Sequence, residues 1–302
     1  MTTTYGELAD RIDTLLHGYS VSNESTTWLT TTITNATTSF VVYDAQMIGR
    51  GFIQIDDELM YVNNTDNTTN TVYLSPWGRG QRGSAAAAHS TNAKITIAPL
   101  FPRSEIKKAI NETVDSMYPQ IFGVDQTEFT YVAARTTYDL PDNTEHILSV
   151  THSVIGPSRE WLPVRSYQFD RTANPTAFGT GGELGKSITV DDRITPGRKV
   201  SIAYSKRPTL MTTDSDDFVG VTGLPSYSLD AVIYGTAFRM ISFLDPSRLG
   251  PQSAEADTLD TQRGNRSGET AASFLFRIYQ TRVTEVAENQ RRQYPIRSHY
   301  QR

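Results

Sequence analysis

The chain has 302 residues, no cysteine, and a net charge of −5 from 28 basic and 33 acidic side chains. That length suffices for one sizeable core or two modest ones. The missing thiols exclude disulfides, thiolate zinc sites and cysteine nucleophiles, and the acidic balance argues against a surface built to grip nucleic acid.

A hydrophobic fraction of 37% is low beside the roughly 45–50% of an average globular chain, although the two figures treat Gly and Tyr differently. Much polar surface per residue suits an extended, multi-module shape, or faces covered by other subunits. No apolar run approaches the ~18 residues that span a bilayer. Met-Thr-Thr-Thr-Tyr-Gly-Glu lacks the basic and apolar regions of a signal peptide. The chain is therefore expected in the cytosol or inside a particle, with no membrane partner.

The first element is a helix over Tyr5 to His17. Thr4 and Glu7 form a capping box, Leu8, Ile12, Leu15 and Leu16 share a face, and Gly18 stops it. Polar residues from Ser22 to Thr32 lead to strands near Ile33 and from Phe40 to Tyr43. From Gly51, Ile53 and Ile55 alternate with polar neighbours, Asp56-Asp57-Glu58 turn the chain, and Leu59 and Tyr61 return on the next strand. A third strand spans Thr71 to Leu74. Gly78, Gly80 and Gly83 then punctuate a loop carrying Trp77, Arg79 and Arg82. Pro99 and Pro102 end this β module.

A second helix is expected from Arg103 to Gln120, with Ile106, Ile110, Val114 and Met117 in one stripe. The two helices would pack together and carry the β module as an insertion. Period two returns from Thr127 to Arg207, in Phe129-Tyr131, Ile188-Val190 and Val200-Ile202-Tyr204. It reads as a second antiparallel module, because its links are short and not helical. A third helix starts after Leu224-Pro225, striped by Leu229, Ile233, Ala237, Met240 and Leu244. Apolar on much of its circumference, it needs cover on more than one side, from its own bundle or from a neighbouring subunit. The last helix runs from Glu269 to Arg292.

The fold class expected is α+β: a helical bundle of about four helices with two inserted antiparallel β modules. Residues 1–21, 99–126 and 224–292 would form the bundle, 22–98 and 127–223 the modules, and 293–302 an extended arm.

Two strings carry a resemblance. Ile55-Asp-Asp-Glu-Leu-Met-Tyr-Val62, with Trp77-Gly-Arg-Gly-Gln-Arg-Gly-Ser-Ala-Ala-Ala-Ala-His-Ser90, resembles a β module of tailed-bacteriophage virion proteins. Leu224 to Asp245 is similar to the late helix of head-to-tail connectors, or adaptors. That resemblance implies a virion structural protein at the neck, assembled in the host cytoplasm. It implies a homo-oligomeric ring, commonly twelvefold, beneath the portal protein. Such a ring would bind tail or neck proteins and continue a channel through which DNA passes without sequence-specific binding. An acidic chain suits such a duct, since it repels phosphates. The alternative is a tail-tip, baseplate or fibre protein that uses the same module for adhesion. A weaker third reading is a polysaccharide-degrading tail enzyme. The amphipathic helices and a basic C-terminal arm favour the connector, because fibres are mostly β and trimeric.

The chemical motifs fail on context. Gly78-Arg-Gly-Gln-Arg-Gly83 matches G-x-G-x-x-G, but no long helix follows and no acidic residue lies between Ser84 and Arg103. Thr180-Gly-Gly-Glu-Leu-Gly-Lys-Ser187 approaches a phosphate loop, but threonine replaces its first glycine and a strand follows it. The clusters Asp56-Asp57-Glu58 and Asp214, Asp216, Asp217 read as turn formers. His17, His89, His146, His152 and His299 are dispersed and read as ordinary polar or packing residues. No catalytic, cofactor or metal residue is assigned, and no cofactor is expected.

Two contact sites remain as candidates. Trp77, Arg79 and Arg82 form a possible subunit or tail contact loop. After Glu288 the chain holds no acid, while Arg291, Arg292, Arg297 and Arg302 interleave with Tyr294, Ile296 and Tyr300. That pattern reads as an arm that docks on the portal in extended form.

Overall fold

The computed structural model describes residues 2–18, 24–134, 137–154, 160–173, 185–242 and 267–295. Its first helix, α1 (Tyr5–His17), carries the expected capping box, in which Glu7 and Thr4 satisfy each other's exposed backbone N–H.

Six short strands follow: β1 (Ser25–Trp28), β2 (Ser39–Val41), β3 (Gly51–Ile55), β4 (Glu58–Asp66), β5 (Thr71–Leu74) and β6 (Lys94–Ile97). They pair antiparallel in the order β1-β6-β3-β4-β5-β2. The two outer strands then meet. Leu29 bridges Val42, Tyr43 N–H donates to Trp28 O at 2.9 Å, and Thr30 N–H donates to Val41 O at 3.1 Å. The sheet thus closes into a small barrel, with Ile53, Ile55, Met60, Val62, Val72 and Ile95 in its buried interior.

After α2 (Arg103–Ser116) come β7 (Gly123–Thr130), β8 (Thr137–Leu140), β9 (His146–Ser153), β10 (Trp161–Pro163), β11 (Tyr167–Ala173), β12 (Gly185–Val190) and β13 (Lys199–Lys206). They form two antiparallel sheets, β10-β9-β13-β7 and β11-β12-β8. Tyr138, Leu140, Ile188 and Val190 from one sheet and Val150, Val200 and Ile202 from the other share a single core. This is the geometry of two sheets facing across a common interior.

The chain ends in α3 (Phe218–Thr222), α4 (Leu229–Ser242) and α5 (Ser267–Gln293). Helices α1, α2, α4 and α5 bury Leu8, Ile12, Ile106, Ile110, Val232, Ile241, Leu275 and Val286 around a third core. Gly235 of α4 lies so close to α2 and α5 that an added Cβ would stand 2.6 Å from Thr113 Cγ2 and 2.7 Å from the Tyr279 ring.

One expectation is corrected here. The molecule is not a helical bundle with two β inserts: the described residues hold thirteen strands in three antiparallel sheets against five helices. Two of the three cores are made by sheets. Long unbroken helical stripes dominate a sequence reading, whereas most of these strands span only three to eight residues between turns. The stretch from Thr127 to Arg207 is accordingly two sheets around one core. Helix α4 is covered inside the chain by α1, α2 and α5, the first of the two kinds of cover expected for its broad apolar surface.

Candidate functional site: the charged plug of the barrel and its joint to the helices

The β3–β4 hairpin turns through Asp56, which takes a left-handed backbone at φ 51°. Its three successive acids go three ways. Glu58 pairs with Ile55 in register, an inward position, and its side chain is 0% exposed. A carboxylate placed there must be fully partnered. Arg79 meets it with both prongs of its fork, Nε to Oε1 at 2.6 Å and Nη2 to Oε2 at 2.8 Å. Backbone N–H groups of Gly80 and Ala87 donate to it at 3.0 and 2.9 Å. His89 Nε2 completes the set at 2.9 Å.

Arg79 also donates to Thr34 O at 2.7 Å, to Thr37 O at 2.9 Å and to Ala87 O. His89 Nδ1 reaches Asp56 Oδ2 at 2.7 Å, and its backbone bridges Ile33. The loop after β5 is thereby folded back as a plug across one end of the barrel. Its tight start requires Gly78, where a Cβ would stand 2.6 Å from Tyr61 O.

The electrostatics follow from this geometry. Burial alone would lower the His89 pKa, but hydrogen bonds to Asp56 and Glu58, reinforced by their charges, outweigh it and raise it to about 9. Burial would raise Glu58, and the bonds from Arg79, His89, Ala87 and Gly80 instead bring it down to about 2. The imidazolium and the carboxylate are therefore both charged at neutral pH. Glu58 accepts five hydrogen bonds, which leaves it no lone pair for a metal or a substrate. Among the described residues no three His, Asp or Glu side chains come together as a metal set.

Asp57 points the other way, to α2. It pairs with Arg103 Nε at 2.9 Å and with Lys107. Arg103 also binds Asp10 of α1, and Lys107 binds Asp214. Tyr5 donates its hydroxyl to Lys107 O at 2.6 Å; burial, then Asp57, Asp214 and Asp216, push its pKa up. Asp216 and Asp217 do act as turn and cap residues, on Thr212, Thr213 and Gly220.

The anticipated contact loop divides accordingly. Trp77 is 86% exposed. Arg82 lies with its guanidinium carbon 4.7 Å from the centre of the Phe52 ring, and its Nη1 is 3.4 Å from Glu105 Oε1. Arg79 is spent inside the plug. Of the arm, Arg291 and Arg292 belong to the exposed last turn of α5, where Arg292 lies 3.9 Å from Glu288. Tyr294 is half-buried and donates its N–H to Gln290 O at 2.8 Å. Ile296, Arg297, Tyr300 and Arg302 fall outside the described residues, as does most of the Thr180–Ser187 string.

The plug escaped the sequence reading because its acids and bases lie some 20 to 30 residues apart. A usable signal existed: three consecutive acids, with Arg79, Arg82 and His89 in the same module and no other acid cluster there to pair them.

A closed ion-paired plug, three antiparallel sheets and a compact helical layer make up the described residues. The family described as SU10 adaptor protein matches residues 84–297, more than two-thirds of the chain, and the chain belongs to that family. Its role is that of a virion structural protein in head–tail joining, in contact with other head and tail proteins. No curated protein matches the chain. Among the described residues no helix is long and apolar enough to cross a membrane.

Proposed function

We propose that the chain assembles into a ring at the virion neck, beneath the portal, and continues the DNA channel toward the tail. Membership of the adaptor family carries this reading. Exposed apolar side chains support it: Trp28, Val41, Tyr43 and Tyr73 on the barrel wall and Trp161 and Leu162 at a sheet edge. Apolar patches of this kind mark protein contacts, and head-to-tail contacts close into rings when the subunit rotation permits. Native mass measurement and low-resolution imaging of isolated necks test it. Many copies in cyclic order, twelve by the resemblance, are expected; a trimer at the distal tail tip would overturn it.

The chain works without catalysis in this reading, and DNA slides past it without sequence-specific binding. Gln290 to Arg302 is the arm that docks on the portal. It is acid-free, starts from the buried Gln290 in the last turn of α5 with Arg291 and Arg292 exposed beyond it, and alternates arginines with Tyr294, Ile296 and Tyr300. Deleting Arg291 to Arg302 should leave the fold intact and weaken attachment to DNA-filled heads. Replacing only Tyr294, Ile296 and Tyr300 with Ser tells apolar burial from charge. Normal attachment of the truncated chain would remove the arm from the interface. Trp77 and Arg82 form the remaining contact loop, toward a subunit or the tail.

A further inference from the structure

The barrel and the helices bury separate apolar clusters. Between them lies a cleft of about 470 Å³, with Phe52, Leu59 and Arg82 on the barrel side and Leu100, Glu105 and Met240 opposite. What spans the joint is polar. Asp57 meets Arg103 and Lys107, Arg82 meets Glu105 at 3.4 Å, and Gln54 Oε1 accepts from Arg103 N–H at 3.0 Å. Leu100 N–H donates to Glu24 Oε1 at 2.8 Å.

We propose that the barrel is a swivelling unit, clasped to the helices at Asp57, that turns about residues 98–102 when the clasp is released, with neither core unfolding. Three observations carry this. Asp57 is about half exposed, so water can take it over when it leaves. Arg103 and Lys107 keep Asp10 and Asp214 as partners after release, so no buried charge is stranded, which is the usual penalty for breaking such a pair. Because each core is complete without the other, opening exposes little new apolar surface beyond Phe52 and Leu59. Charge pairing of this kind weakens as salt rises, and so it also weakens where another protein's charges compete. A part that must meet differently oriented surfaces during assembly could use that freedom.

The absence of cysteine makes site-specific labelling clean. Tyr43→Cys on the barrel and Lys108→Cys on α2, both well exposed, take a pair of spin labels, and the distance distribution between them is measured. A single narrow distance is expected at about 0.05 M salt, with a second population growing toward about 1 M. Adding Asp57→Asn should bring that second population to low salt. Near-UV circular dichroism should stay unchanged throughout, as a swivel requires. The salt series on the labelled chain needs no clasp variant, so it stands even if Asp57→Asn folds poorly. One unchanged narrow distance across the salt series would overturn the proposal. So would a second population that appears only with loss of the near-UV signal, because that is unfolding.

Discussion

Gln290, one turn from the end of α5, grips both backbone groups of Phe122: its amide donates to the carbonyl at 2.7 Å, and its own carbonyl accepts the N–H at 3.2 Å. The side chain is buried, and Phe122 immediately precedes β7. One glutamine therefore fixes the angle at which the last helix meets the start of the four-stranded sheet.

Replacing Gln290 with Ala should leave that N–H and carbonyl without partners, at a cost of about 2 kcal/mol. Urea unfolding should show a lower midpoint with an unchanged slope. A midpoint equal to the parent's would mean that water replaces the glutamine without loss.

Arg79→Ala should be far more damaging. It strands the Glu58 carboxylate inside the barrel, and breaking one side of a buried pair costs about 3–5 kcal/mol. Arg79→Lys should recover little, because an ammonium cannot reproduce the two-pronged contact. In a Trp161→Phe background, tryptophan fluorescence reports on Trp28 and Trp77 alone and should follow the barrel's unfolding in both variants. If Arg79→Ala melts like the parent, the plug is ornamental.

The His89 pair predicts a pH dependence. Its folded pKa of about 9 exceeds the ordinary value of 6.5, so the folded state holds the proton more tightly. The stabilisation is fully present below pH 6.5 and is lost as pH rises to about 9, amounting to at most about 3 kcal/mol. The melting temperature should fall between pH 7 and 9.5, and His89→Gln should flatten that fall. Glu58 works in the opposite sense. Its lowered pKa keeps its contribution present above pH 4.5 and removes it as pH falls toward 2.

At Gly235 two effects oppose each other. Alanine would gain about 0.5–1 kcal/mol of helix preference over glycine. Its methyl, however, would stand 2.6 Å from Thr113 Cγ2 and 2.7 Å from the Tyr279 ring, and overpacking of that kind costs about 1–3 kcal/mol. Net destabilisation is expected, and Thr113→Ala, by opening space, should restore part of it. A stabilised Gly235→Ala would show that α2 and α5 can move apart freely.

The helices were legible in the sequence because their signals are local. The capping box at Thr4 and Glu7 and the stripe of Leu8, Ile12 and Leu16 define α1 without outside help. The weight of the strands was not legible. Leu59-Met60-Tyr61-Val62 is apolar at every position, so alternation could not say that Met60 and Val62 face inward. Closure of the barrel depends on Leu29 meeting Val42, a pairing that no local pattern announces. The plug was hidden for the same reason: Asp56, Asp57 and Glu58 look like turn residues until the chain brings His89, Arg79, Arg103 and Lys107 to them. Two of the histidines dispersed along the chain are held between carboxylates, His89 by Asp56 and Glu58 and His17 by Asp13 and Glu24.

The meeting of Leu29 with Val42 has a further consequence for a protein made in many copies. An open sheet offers its outer strands to the next molecule as a row of unpaired amides and carbonyls, which is how aggregates begin. Here that row is used up by the chain itself. Trp28 and Tyr43, side by side across the seam, can therefore be displayed to a partner while the backbone beneath them offers no template for fibril growth.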